Sequence, residues 1–286
     1  MKSTGIFTTQ RFNIQFKNYG EPIYLTPFGD VHEDSPLHAK EHWQETLAWM
    51  KKKPRCYFLG MGDYLDLAST KERRVFDNPD LHESTQSTLD ALVAKSVKKF
   101  VDEISFMKGR LIGLIEGNHY WVFSNGGFTS TQKMCELLGC AYLGTMSYIR
   151  LRFEKDGRRS ATLETKIIAH HGIGTSRVAG GDMRAVERLA DGWDCDMALM
   201  GDDHQKGLIP RMKNGFRSNT EIVRARKILL VRTGCFLRGF VKGEASYVVD
   251  KCYSPTDIGL VKIEMTPRRD CSGGGDETWI DLHASL

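Results

Sequence analysis

Apolar residues along the chain fall into two kinds of pattern. Short, largely apolar runs occur at residues 23–25, 56–59, 111–115, 166–169 (which opens on Lys166) and 197–200, the signature of strands buried on both faces. Between them lie stretches with apolar positions three and four apart. The clearest covers residues 87–107, where Leu89, Leu92, Val93, Val97, Phe100, Val101 and Ile104 share one helical face, which predicts a core-packing helix. Residues 37–50 and 131–138 predict two further helices. Alternating strands and helices imply a layered α/β fold.

Beyond residue 147 strand signals dominate. Residues 148–153 and 162–169 flank a polar turn containing Asp156-Gly157 and predict a β-hairpin; residues 222–233, 245–249 and 259–265 predict further strands, hence a second sheet. The Ser272-Gly273-Gly274-Gly275 run divides the main body, residues 1–270, from residues 271–286, expected as a linker and a flexible tail whose few apolar residues dock on the body.

Polar chemistry sits directly after the apolar strands, in five patches: Gly29-Asp30-Val31-His32, Gly60-Met61-Gly62-Asp63-Tyr64-Leu65-Asp66, Gly117-Asn118-His119, His170-His171-Gly172 and Gly201-Asp202-Asp203-His204. A set of Asp, His and Asn without thiolate suits manganese, iron or catalytic zinc rather than a structural zinc site. Seven candidate ligands (Asp30, His32, Asp63, Asn118, His170, Asp202 and His204) exceed what one ion takes. Two ions roughly 3.5–4 Å apart and sharing one carboxylate account for them. A lone Gly-Asp is more often an ordinary turn or helix cap.

In order and spacing these patches resemble the calcineurin-like metallophosphoesterase superfamily: Asp-x-His, Gly-Asp-x-x-Asp, Gly-Asn-His, a His after a strand, then Gly-His-x-His. The resemblance implies a four-layer αββα sandwich of two mixed β-sheets flanked by helices. It also implies a dinuclear phosphoesterase that attacks with a metal-activated water. Asp30, His32 and His204 would hold one ion, Asp63 would bridge, and Asn118, His170 and Asp202 would hold the other. Asn118 and His119 would bind substrate, and His119, oriented by Asp66, would protonate the leaving group.

Two positions depart from the pattern. Asp202 stands where the superfamily has a His, which favours harder ions; Tyr120 stands where an acidic residue usually follows Gly-Asn-His. The cofactor expected is a pair of divalent ions, manganese first, with iron, zinc or magnesium as alternatives.

Lys71, Arg73, Arg74 and the run Tyr120-Trp121-Val122-Phe123 fall beside these patches, a basic and aromatic rim that suits phosphodiesters such as nucleotides or nucleic acid. Packing beneath the loop is the competing reading of the aromatics. A phosphomonoesterase or protein phosphatase is the alternative enzyme, although Leu67-Ala68 replaces the Arg-Gly of protein phosphatases. A catalytically silent metal-binding scaffold is the alternative outside enzymes.

The composition is that of an ordinary globular protein, with 41% hydrophobic and 27% charged residues, and a net charge of +4 permits an anionic substrate without demanding nucleic acid. No run has signal-peptide or membrane-spanning character, and the seven cysteines lack Cys-x-x-Cys spacing. A cytoplasmic protein with reduced thiols and no membrane partner is expected. The sequence names no protein partner.

Overall fold

The computed structural model describes residues 8–69, 72–73, 83–157, 162–172, 183–216, 223–271 and 277–286. The first strands are β1 (Thr9–Phe16), β2 (Ile23–Phe28), β3 (Cys56–Gly60), β4 (Leu111–Leu114), β5 (Ala141–Tyr142), β6 (Met146–Lys155) and β7 (Thr162–His170). After them come β8 (Met197–Met200), β9 (Lys206–Phe216), β10 (Val223–Cys235), β11 (Gly259–Leu260), β12 (Lys262–Asp270) and β13 (Glu277–Ser285). The helices are α1 (Lys40–Lys52), α2 (Glu83–Ile104), α3 (Ser130–Leu138), α4 (Met183–Asp191) and the single turn α5 (Tyr247–Asp250).

Two mixed sheets result. One runs β13-β12-β2-β3-β4-β5, and the other runs β1-β6-β7-β8-β10-β11 with β9 paired to β10. Strands β2, β3, β4 and β5 are parallel, as are β7, β8 and the second half of β10. The two inner faces meet in an apolar layer that includes Ile14, Leu25, Leu59, Ile112, Ile149, Ile167, Leu199, Val231 and Ile263. Helices α1, α2 and α3 cover the outer face of the first sheet through Trp43, Leu47, Val97, Phe100 and Met134. Helix α4 covers the other sheet through Val186 and Ala190, which pack on Ile168, Ala198 and Leu230. The architecture is thus an αββα sandwich.

Local sequence explains the element ends. Helix α3 starts at a capping box, in which the Thr129 hydroxyl accepts from the Gln132 N–H and the Gln132 side chain accepts from the Thr129 N–H; it stops at Gly139, which adopts a left-handed conformation. In α2 the predicted stripe is buried from Val93 to Ile104, but Leu92 is 59% exposed, one position off the buried face. The expected hairpin is present as β6 and β7, paired antiparallel from Met146↔His170 to Glu154↔Thr162.

Three expectations change. Residues 245–249 do not form a strand, because the Ser246 hydroxyl accepts from the Val248 N–H and the Asp250 N–H donates to the Ser246 carbonyl, starting the helical turn α5. The expected tail is instead β13, paired along the whole of β12 and burying Leu282 and Ala284 in the inter-sheet core. Strands β1 and β9 and helix α4 add elements the periodicity did not mark. The Ser272-Gly273-Gly274-Gly275 run lies outside the described residues. All seven cysteines are free thiols, and among the described residues no helix is long and apolar enough to cross a membrane.

Candidate metal centre

Strands β2, β3, β4, β7 and β8 end at the same edge of the sandwich, and each releases its polar patch there. The turns are unusual in their backbone. Asp30 (φ 47°), His32 (46°), Asp63 (49°), Asp202 (71°) and His204 (59°) are all left-handed, and among the described non-glycine residues only Arg55 and Cys252 share that conformation. Such a backbone costs an ordinary residue about 1–2 kcal/mol, and the strain persists only where surrounding contacts fix it. Here they do: the Asp30 N–H donates to the Gly62 carbonyl, those of Val31 and His32 donate to the Asp63 carbonyl, and that of Phe236 donates to the Asp30 carbonyl. Glycines make the close approach possible. A Cβ on Gly117 would lie 2.7 Å from Asp63 Cγ, and one on Gly201 would lie 2.9 Å from Asp30 Oδ2.

Asp63 is the centre of the cluster. Its Oδ1 accepts from the His119 backbone N–H at 2.9 Å, whereas its Oδ2 lies 3.8 Å from His32 Nε2 and 3.5 Å from His171 Nε2. On one side, His204 Nε2 is 3.8 Å from Asp30 Oδ1. On the other, His171 Nε2 is 3.6 Å from Asp202 Oδ1, which also accepts from Asn118 Nδ2 at 3.2 Å. The Asp202 N–H donates to Asp30 Oδ2, joining the two sides.

Two groups, Asp30/His32/His204 and Asp30/Asp63/His171, bring their ligand atoms within 4.8 Å of one another, close enough to hold a cation each. A third such group, His32/Asp66/His119, flanks them. Three buried polar atoms, Asp30 Oδ1, His32 Nε2 and His171 Nε2, have no hydrogen-bond partner. Orphans of this kind are costly in a protein interior, and all three are metal-ligating atoms of the same cluster.

The electrostatics agree with the donor set. Burial pushes Asp30 up to about 7, against the pull of His171. Burial also opposes the charge on Asp63, but His171, His32 and His119 together hold it below the usual carboxylate range. His171 loses charge stability to burial and regains more from Asp63, Asp30 and Asp202, ending at about 10. An imidazole held protonated so far above its ordinary value marks a strongly negative potential, the condition a divalent cation meets favourably.

His119 is raised to about 9, since a hydrogen bond to Asp66 and the charge of Asp63 outweigh burial. Its Nδ1 is anchored 3.1 Å from Asp66 Oδ1 and 3.1 Å from the Leu67 carbonyl. Asp66, drawn well below the carboxylate range by His119 and His32 despite partial burial, also lies 3.3 Å from His32 Nδ1. One carboxylate therefore orients two imidazoles.

The structure brings six of the seven predicted ligands together: Asp30, His32, Asp63, Asn118, Asp202 and His204. The expectation for His170 does not hold geometrically. As the last residue of β7, His170 folds its Nδ1 back onto the Gly172 N–H at 2.9 Å, and desolvation lowers its pKa. Its neighbour His171 points inward, with Nδ1 bound to the Met61 carbonyl at 2.8 Å and Nε2 facing the carboxylates. The chain leaves β7 between the two residues, and their side chains part there.

Asp203 is turned away and makes an ion pair with Arg232. The expected aromatic rim is largely core, with Trp121 and Phe123 only 5% and 7% exposed beneath the loop and Trp121 Nε1 bound to Asp90. Tyr120 remains at the surface with the Arg73 guanidinium 3.7 Å above its ring, while Arg73 Nη1 donates to the Ala68, Asn118 and Tyr120 carbonyls. Lys71 and Arg74 lie outside the described residues.

No protein-family model and no curated protein matches the chain. Among solved structures, a single-site variant of Vps29 from Entamoeba histolytica aligns at 12% identity over 92% of this chain and 100% of its own, with a TM-score of 0.38. A double variant of the same protein aligns at 12% identity over 93% of this chain and 100% of its own, with a TM-score of 0.34.

Proposed function

We propose that the chain is a dinuclear metal-dependent phosphoesterase of the calcineurin-like superfamily that its motifs resemble. The observation that carries the proposal is the convergence of left-handed Asp and His residues on a buried cluster in which three ligand atoms have no hydrogen-bond partner. In this reading Asp30, His32 and His204 would hold one ion, and His171, Asp202 and Asn118 would hold the second. Asp63, whose Oδ2 lies between His32 and His171, would be the ligand common to both. The ions, when bound, supply Lewis-acid charge for the phosphoryl oxygens and lower the pKa of a water.

The chain's own residues do the rest. Asp63 commits Oδ1 to the His119 N–H, which fixes the acid's backbone in register with the shared ligand. With Nδ1 held by Asp66 and Leu67, His119 keeps Nε2 as the atom that gives its proton to the departing oxygen. Asn118, at the exposed mouth, contributes its amide to the phosphoryl group.

Phosphodiesters are the substrate class we propose first. Burial of Trp121 and Phe123 removes base stacking on those rings from the argument, leaving the cationic Arg73–Tyr120 rim as its support. Reconstitution with manganese, followed by a panel of bis-p-nitrophenyl phosphate, p-nitrophenyl phosphate, cyclic nucleotides and DNA, tests both levels. Chelation should abolish hydrolysis and manganese restore it, and Asp63→Asn should lose metal and rate together. Undiminished activity of fully stripped protein would refute the proposal. A monoester preference would refute only the substrate class.

A further inference from the structure

The turn after β8 delivers two of the proposed ligands, Asp202 and His204, both left-handed, with Asp203 between them. What fixes this turn is an ion pair at the bottom of the site. Arg232 on β10 is 1% exposed and Asp203 is 2% exposed, and Arg232 Nη2 lies 2.5 Å from Asp203 Oδ2. Arg232 sits beside Met200 in the parallel register of β8 and β10, so its side chain reaches past the end of β8 onto the outgoing turn. There Nη1 donates to the Gly201 carbonyl at 3.0 Å. The same carbonyl accepts from the Asp203 N–H, and the Gly201 N–H donates to the His171 carbonyl at 2.7 Å. Asp203 Oδ1 in turn accepts from the Gln205 N–H.

The Gly201 carbonyl and the Asp203 and Gln205 N–H groups, which flank Asp202 and His204, are thus tied to the Arg232–Asp203 pair. Stability alone does not account for such a pair. Removing two charges from water offsets most of their attraction, and well-packed apolar replacements of buried ion pairs are often neutral or stabilising. A guanidinium does what an apolar side chain cannot, donating directionally to the Gly201 carbonyl while its charge faces the Asp203 carboxylate.

We infer that Arg232 and Asp203 are positioning residues for the metal centre, holding Asp202 and His204 at the angles that ligation needs. The inference rests on the dinuclear reading above. Neither residue touches the proposed ions; they act through the Gly201–Gln205 backbone.

The test is manganese binding by isothermal calorimetry, with metal-free melting as the control, on wild type, Arg232→Lys and the double variant Arg232→Met/Asp203→Leu. The double variant leaves no buried charge unpaired and so preserves the fold. Metal-free, it should melt close to wild type, yet bind manganese ten- to a hundredfold more weakly, the loss usual for residues that orient ligands. Arg232→Lys keeps the charge but not both contacts, and should fall between the two. A double variant that binds two manganese ions with wild-type affinity would overturn the inference while leaving the dinuclear reading intact. A wild type that binds no manganese would overturn both.

Discussion

Replacing Gly117 by Ala isolates the geometry of the shared ligand without changing any ligand. The added methyl would lie 2.7 Å from Asp63 Cγ, and closer still to the Asp63 backbone nitrogen and Oδ1. Ordinary non-bonded contact to carbon is about 3.5 Å, so the carboxylate, whose Oδ1 would lie 1.8 Å from the new methyl, must retreat by more than about 1 Å. The backbone cannot share that movement easily, because the Asp63 carbonyl already accepts from both Val31 and His32. Overpacking of this kind costs about 1–3 kcal/mol of stability. A displacement of about 1 Å at a reacting site costs on the order of 100-fold in rate. The two effects are separable by measuring metal-free melting, manganese affinity and hydrolysis of bis-p-nitrophenyl phosphate on the same preparation. The expected variant is folded, modestly less stable, weak in manganese and at least about 100-fold slower. A Gly117→Ala protein that takes up two ions normally and hydrolyses within a few-fold of wild type would refute the placement of Asp63 as the shared ligand.

Other expectations follow from the same contacts. His119→Ala should cost about 100- to 10,000-fold with an alkyl or nucleoside leaving group and much less with p-nitrophenolate, at unchanged metal content; equal losses on both would reduce His119 to phosphate binding. In metal-free protein the raised pKa of His119 means that its charge stabilises the fold fully below about pH 6.5 and ceases to do so as pH rises through about 9. Asp66→Asn should bring the NMR titration midpoint of His119 back toward 6.5, and an unmoved midpoint would refute the Asp66 contact. Asp202→His should shift metal preference from manganese toward zinc or iron while keeping activity, and Asp202→Ala should lose the second ion; if Asp202→Ala binds two ions as tightly as wild type, Asp202 is only a turn residue.

Where local pattern and tertiary demand coincide, the sequence was easy to read. The doubly buried runs that became β2, β3, β4 and β8 are apolar throughout, and the polar patch after each could only emerge at the strand end. The capped helix α3 and the hairpin of β6 and β7 carry their signals within ten or so residues. What was missed depends on distant partners. The Phe12, Ile14 and Phe16 alternation in β1 is a fair strand pattern, but its meaning comes from parallel pairing with β6, more than a hundred residues away. The last strand, β13, looks like a tail until β12 supplies its hydrogen bonds. His170 and His171 are equally plausible by composition, and only the point at which the chain leaves β7 decides which faces the carboxylates. Arg232 reads as one more basic residue in a strand, because nothing local reveals a carboxylate buried opposite it.

The left-handed backbone at five site residues also restricts the alphabet available there. Apart from glycine, the side chains most at ease at positive φ are Asp, Asn and His. These same three types are the oxygen and imidazole donors that a hard or borderline cation accepts. Conformation and coordination thus filter for one short list, and an exchange between Asp and His at residue 202 moves within it. A Glu there would still offer a carboxylate but would strain the turn, whereas Asp exchanges one donor for another with the backbone undisturbed. Ligand identity at these turns can therefore be retuned toward another metal without rebuilding the sandwich beneath it.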